Sequence, residues 1–298
     1  MTKENLFKQL LSDPKFGPRV VDLANSQLIM GEAIESGRGF LSSRLGNVEG
    51  FFVNKVLFNR EVDLTSKQKA RLTTNTGVTD TSFDGITRWA LEYMRSASMV
   101  DLMGVKSVNF PSQLKLLEYT NNNNYTLLAS NNPILAVVNQ ISPWTLSLAG
   151  KKVLVINPFI DDIKSQYEKK SSIPFIDELL PTFELIGLMP PVTTSVDAIS
   201  PEDFERSLYQ LKLQVLELDF DVAIIGAGGY GLSIAAFIKE LGKVALHIGG
   251  LTQLIFGVTG ARWDDAGWMN AVDKRGWIRP TMNEDNKHAF NIAKGVYV

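Results

Sequence analysis

The chain has no cysteine. That absence excludes disulfides, Cys-ligated zinc, iron–sulfur clusters and a thiol nucleophile, and it fits a reducing compartment. Histidine is scarce, with only His247 and His288 among 298 residues. A zinc site of imidazoles is therefore disfavoured, whereas an oxygen-liganded magnesium or manganese ion needs only Asp, Glu and Asn. Charge of one sign is also missing. The net charge is −2 and the basic residues are scattered, so the phosphate attraction that drives nucleic-acid binding has no source, and no nucleic-acid partner is expected. No apolar run matches the roughly 20 residues of a spanning helix. Two long uncharged stretches, 222–238 and 244–261, carry four glycines each and parse as strand, turn and helix. The opening stretch "MTKENLFKQLLSDPKFG" places charges inside any would-be apolar core. No signal peptide and no integral membrane segment are expected, which suits a cytoplasmic protein.

What is present is an ordinary globular composition, 45% hydrophobic and 21% charged, without internal repeats or an evident linker. It suits one α/β domain over 1–298, with a helix-rich half to residue 150 and a regular β/α half from 151. In the second half, "KKVLVINPF" at 151–159 reads as a buried parallel strand and "IDDIKSQYEKK" as a helix. "FELIGLMPP" is a second strand. Ser200, Pro201, Glu202 and Asp203 form a helix start. Phe204, Leu208, Leu211, Val215 and Leu218 then recur at helical spacing. "DVAIIGAGG", "YGLSIAAFIKELG" with Gly242 as its stop, and "KVALHIGG" continue the alternation. Strands alternating with helices imply a parallel sheet covered on both faces.

The first half is less regular. Residues 1–36 look helical, 39–46 ("GFLSSRLG") look like a strand entering a turn, and "VEGFFVNKVLF" looks like the following helix. "SFDGITRWALEYMRSASMVDLMGV" reads as one helix with Trp89, Leu91, Met94 and Met99 in the core, and Asn121 to Asn124 as a loop. Trp263, Trp268 and Trp277 are expected to bury the C-terminal segment against the sheet, with stacking on a sugar or base as the alternative.

Two stretches carry chemistry. Gly226, Gly228 and Gly231 fit G-x-G-x-x-G between a strand and a helix, a context that permits either close approach to a phosphate or close helix–strand packing. A dinucleotide site also wants an acidic residue about 20 positions on, to hold ribose hydroxyls. Here that region reads "ALHIGG", with His247 and no carboxylate. An NAD(P)-binding oxidoreductase is therefore the lesser alternative, and a nucleotide carrier of another kind fits better. In the first half, "SSRLGNVEG" places Arg44, Gly46, Asn47 and Glu49 at the mouth of a strand-to-helix turn. Asn47 also suits an N-cap, and Glu49 suits a first helical turn.

Taken together, "RLGNVEG", "PWTLSLAGKKVLVINPF", "DFDVAIIGAGGYG", "LGKVALHIGGLTQLIFG" and "LIFGVTGARW" resemble the bacterial glycosyltransferases of GT-D fold. The similarity is closest to a polysaccharide-biosynthesis group of that superfamily and spans most of residues 40–280. The resemblance implies a Rossmann-like parallel sheet flanked by helices. It also implies transfer of a sugar from a nucleotide-sugar, UDP-sugar favoured, to a glycan or lipid-linked glycan in capsule, exopolysaccharide or related biosynthesis. By position Asn47 and Glu49 match the family's D-x-E metal pair, but Asn47 replaces the Asp, so a Mn2+ or Mg2+ ion would lose one anionic ligand. The implied donor-binding set is Arg44, Gly46, Gly226, Gly228, Gly229, Tyr230, Gly231 and Gly249, with Glu49 and His247 as catalytic candidates. Asp84 and Asp101 remain open as alternative bases, and Asn157 and Asp161 are expected near the same cleft. A placement at the inner face of the membrane and a homo-oligomer are open. The rival is a non-catalytic nucleotide- or glycan-binding partner in the same pathway.

Overall fold

In a computed structural model, residues 11–60, 63–105, 110–120, 124–127, 131–191, 203–283, 286–287, 290 and 298 are described. The start expected at residues 200–202, the loop at 121–123, the first ten residues and His288 lie outside them.

Eight strands form one sheet: β1 (Val20–Val21), β2 (Phe40–Arg44), β3 (Leu102–Val105), β4 (Asn124–Leu127), β5 (Lys152–Ile156), β6 (Glu184–Leu188), β7 (Val222–Ile225) and β8 (Val244–His247). The order is β1-β4-β3-β2-β8-β7-β5-β6. Every pairing is parallel, as expected for strands joined through helices. The helices are α1 (Leu23–Ser36), α2 (Asn47–Val53), α3 (Ser66–Thr76), α4 (Phe83–Ser98), α5 (Phe110–Thr120), α6 (Pro133–Val138), α7 (Ile160–Glu168), α8 (Pro174–Leu179), α9 (Asp203–Leu216), α10 (Gly231–Glu240) and α11 (Leu251–Leu254).

The strands alternate, and that alternation makes two cores. Leu154 and Ile156 of β5, Ala223 and Ile225 of β7, and Ala245 of β8 face α2, α3, α4, α5, α9 and α10. Val153 and Val155, Val222 and Ile224, and Val244 and Leu246 face α1, α6, α7, α8 and α11. Burial on both faces is why these strands are near-continuous apolar runs. Each fully buried Val, Ile or Leu contributes about 1.5–3 kcal/mol of transfer free energy. The result is the Rossmann-like α/β class expected from the sequence.

The helix-rich half supplies β1 to β4 and the regular half β5 to β8, so the two halves meet at β2–β8, in the middle of the sheet. There Phe40, Leu41 and Ser42 are in register with Val244, Ala245 and Leu246. The chain leaves the two strands in opposite directions. From β2 it passes through α2 and α4, on the first face, to β3. From β8 it passes through α11, on the second face, towards α7 and α8, where Gly257 packs against Gln166 and Ile176. In open α/β sheets, divergence of this kind places ligand sites at the strands' carboxyl ends.

Several details differ from the sequence expectations. The helix read over 82–105 ends at Ser98, and Leu102–Val105 is strand β3. Leu91 is 56% exposed, since it points away from the stripe formed by Trp89, Ala90, Tyr93, Met94 and Ala97. The helix after the first turn widens into a π turn over Asn54–Phe58. Gly242, with φ 78°, follows α10 as expected of a stop. Trp263 enters the second core. Trp268 and Trp277 pack on that core, Trp277 edge-on to Phe175 with the ring centres 6.3 Å apart. These tryptophans thus cover the sheet. Among the described residues no helix is long and apolar enough to cross a membrane.

Candidate functional site

Arg44 ends β2 and Gly46 opens the next helix, so the "RLGNVEG" turn sits on the carboxyl edge of the sheet. Gly46 is the N-cap and Asn47 the first helical residue, one position later than expected for a capping Asn. The Gly46 N–H donates to the Tyr93 hydroxyl at 3.0 Å, both groups being buried. Glu49 folds back over the turn: a methyl group at Gly46 would lie 1.9 Å from its Oε2. Burial, then the nearby Glu49 charge, holds the Tyr93 hydroxyl well above the usual phenol range, so it stays neutral. Arg44 also acts on Tyr93 in the opposite sense. Both charges of the turn thus lie within electrostatic reach of one hydroxyl.

Across the β2–β8 seam, Arg44 reaches the end of the neighbouring strand. Its guanidinium lies on Gly249, where a methyl group would be 2.5 Å from Nη2. The guanidinium is half-buried, and no carboxylate among the described residues pairs with it. The Asn47 Oδ1 is buried without a hydrogen-bond donor. Glu49 likewise has no ion-pair partner among the described residues. A cation, a neutral acceptor and a carboxylate without protein partners therefore share one edge of the sheet.

His247 ends β8 on the first face. Its Nδ1 lies 2.8 Å from Ser43 Oγ, and a methyl group at Gly231 would fall 2.4 Å from its Nε2. Burial, then the Arg44 charge, pushes its pKa down to about 3. The ring is therefore a neutral imidazole under the start of α10, with the Ser43 hydroxyl as its polar partner.

The glycine loop follows β7, and three of its glycines are filled by protein. A methyl group at Gly226 would be 2.6 Å from the Gly249 carbonyl oxygen and 2.8 Å from Asn157 Nδ2. One at Gly229 would be 1.8 Å from the Thr76 carbonyl oxygen, at the end of α3, and one at Gly231 meets His247. Gly228 alone among them is exposed, with φ 53° and nothing within 4 Å of a methyl group. Tyr230 does not lie open to a ligand. Its ring is 2% exposed and stacks on Phe204 with centroids 4.4 Å apart. Close packing thus accounts for Gly226, Gly229 and Gly231, and close approach by an external group remains at Gly228.

The other candidates separate by position. Asn157 is buried, accepts from the Phe159 N–H at 2.9 Å and donates to the Gly226 carbonyl at 3.4 Å, bracing the loop. Asp161 is in the first turn of α7 and accepts from Asn283 Nδ2 at 3.1 Å. Asp84 is exposed in the first turn of α4. Asp101 precedes β3, at the opposite end of the sheet from Arg44. It accepts from the Leu41 N–H at 2.9 Å and pairs with Lys239 at 2.7 Å, which makes it a structural anchor.

Sequence reasoning passed over three polar residues of this region. Tyr93 lies in the apolar stripe of α4 and reads as core. Ser43 carried a signal, being half of a serine pair inside a strand otherwise buried. Thr252, fully buried with an unpartnered Oγ1 2.9 Å from a methyl position on Gly226, carried none.

No protein-family model matches the chain, and no curated protein matches it. A solved structure described as "Selenomethionine substituted structure of domain of unknown function 1792" is similar to it, with a TM-score of 0.48 and 12% identity, covering 99% of this chain and 94% of that one. The Rossmann-like assignment rests on the eight parallel strands themselves.

Proposed function

We propose that this chain is a nucleotide-sugar-dependent glycosyltransferase, UDP-sugar favoured, acting on a glycan or lipid-linked glycan acceptor in bacterial polysaccharide assembly. One observation carries the reading. Arg44, the Asn47 Oδ1 and Glu49, none with a protein partner among the described residues, occupy the carboxyl edge at the central β2–β8 seam. They offer what sugar transfer from a diphosphate requires.

In that reaction the bond from the sugar C1 to the diphosphate oxygen breaks, and a bond from C1 to an acceptor oxygen forms. The transition state resembles an oxocarbenium ion, negative charge grows on the leaving diphosphate, and the acceptor hydroxyl loses its proton. Arg44 faces the growing phosphate charge. Glu49, held by the Gly46 turn, receives the acceptor proton in an inverting reaction. Gly228, the open glycine of the loop, is where the loop would approach the donor. His247 is neutral, buried and bonded to Ser43, so its part is to hold β2, β8 and α10 together.

Glu49→Gln tests the assignment. Transfer is expected to fall by about 10²–10⁴-fold, the usual range for a general base, while the thermal midpoint stays near that of the parent protein. A fully active variant rejects the site. Asn47 favours a second reading, a binding partner descended from a transferase, because one carboxylate of the family's metal pair is gone. Purified protein that binds a nucleotide-sugar yet neither transfers nor hydrolyses it, with any divalent metal, would establish that reading instead.

A further inference from the structure

The family's metal can be tested against the donor atoms here. A hard divalent cation seeks several oxygen ligands, and carboxylates supply most of its countercharge. At this turn the chain offers one carboxylate, Glu49, and one neutral oxygen, Asn47 Oδ1. No group of three Asp, Glu or His side chains is arranged to hold a metal among the described residues. A guanidinium without a carboxylate partner is also present, close enough to act on the same Tyr93 hydroxyl as Glu49. A cation at Asn47 and Glu49 would face that positive charge with a single carboxylate between them. The residues do not fit a resident divalent ion.

They fit an anion better. Arg44 presents a planar fork of N–H donors suited to two phosphate oxygens. It is fixed against Gly249, where any side chain would displace it. His247 beside it is a neutral imidazole at neutral pH, so of the two it is Arg44 that carries positive charge. The glycine loop, 226–231, has no Lys or Arg to share that role, and side chains at Gly226, Gly229 and Gly231 would meet the Gly249 carbonyl, the Thr76 carbonyl and His247.

We infer that this site binds the diphosphate of its ligand without a divalent cation, with the Arg44 guanidinium as the countercharge. The inference rests on the nucleotide-sugar reading for the identity of the diphosphate. It concerns Arg44 and Asn47 themselves.

The experiment is calorimetric titration of the full chain with UDP, and with inorganic pyrophosphate as a base-blind probe, in EDTA and in Mn2+. Mn2+ alone is followed by its electron paramagnetic resonance signal. The expected result is diphosphate affinity equal within about threefold in EDTA and Mn2+, with the free Mn2+ signal unchanged by the parent protein. Arg44→Gln should weaken diphosphate binding about 10- to 100-fold, the scale of a lost charge-assisted hydrogen-bond pair, and Arg44→Lys should restore part of it. Should Arg44→Gln fail to fold, Asn47→Asp serves as the second variant. By restoring a carboxylate it should quench the Mn2+ signal where the parent does not. Binding of UDP only in the presence of Mn2+, or capture of Mn2+ by the parent, overturns the inference and leaves the transferase reading standing. No binding of either probe under any condition overturns both.

Discussion

Replacing the two central glycines of the loop separates packing from ligand binding. An alanine methyl at Gly229 would lie 1.8 Å from the Thr76 carbonyl oxygen and 2.8 Å from its carbonyl carbon. Carbon–oxygen contacts normally begin near 3.3 Å, so the end of α3 must retreat by about 1.5 Å. It has little freedom to do so. Thr76 is 1% exposed, its Oγ1 is bonded to the Leu72 carbonyl at 2.7 Å, and the Gly77 N–H is bonded to the Thr73 carbonyl. Overpacking costs about 1–3 kcal/mol when side chains can adjust. Backbone against backbone belongs at or above the top of that range, about 3 kcal/mol or more. Gly228 is the control. A methyl there meets nothing, and the cost is left-handed strain at φ 53°, about 1–2 kcal/mol, partly offset by a stiffer unfolded chain. At about 2–4 °C per kcal/mol for a chain of this size class, Gly229→Ala should lower the thermal midpoint by about 6–12 °C and Gly228→Ala by about 2–4 °C. Calorimetry and urea titration of both variants measure the difference. A Gly229→Ala protein as stable as Gly228→Ala, with weakened nucleotide binding, would refute the packing assignment and restore the loop as a phosphate cradle.

Two further predictions follow from the same contacts. His247 is held neutral in the fold and has its ordinary pKa when unfolded, so its contribution is complete above about pH 6.5 and is lost as pH falls towards about 3. The slope is about 1.4 kcal/mol per pH unit in that window. His247→Gln should flatten the acid limb of the urea stability profile, and an unchanged limb would contradict a buried neutral imidazole. Asp101→Ala should cost about 1–3 kcal/mol, the scale of an orphaned buried amide at Leu41. Its activity per folded molecule should be unchanged, and selective loss of turnover would return Asp101 to the list of bases.

The second half of the fold was legible because burial on both sheet faces leaves its strands as β-branched runs set off by glycine and proline. The first half was not. β1 has two residues, and β3 continues an apolar helix without punctuation. The segment of β4, "NYTL", is half polar, as suits a strand between a two-residue edge strand and β3. In the site, the sequence placed Arg44, Gly46, Asn47 and Glu49 correctly on a strand-to-helix turn, since that turn is local. The contact of Arg44 with Gly249 joins opposite halves of the chain through the β2–β8 pairing, and no local pattern announces it. The glycine spacing permits both a phosphate and a packed helix. The positions of Thr76, His247 and the Gly249 carbonyl show the packing role of Gly226, Gly229 and Gly231, and Tyr230 turns inward to stack on Phe204.

The most direct test of the transferase reading is thermal stabilisation of the purified chain by UDP-, GDP-, CMP- and TDP-sugars and by NAD(P), compared with Arg44→Ala. A ligand at about 100 times its dissociation constant stabilises by about 2.7 kcal/mol, a shift of several degrees. The account predicts stabilisation by one nucleotide-sugar that disappears in Arg44→Ala. Stabilisation by NAD(P) alone, or by a nucleotide-sugar equally in both proteins, would contradict it.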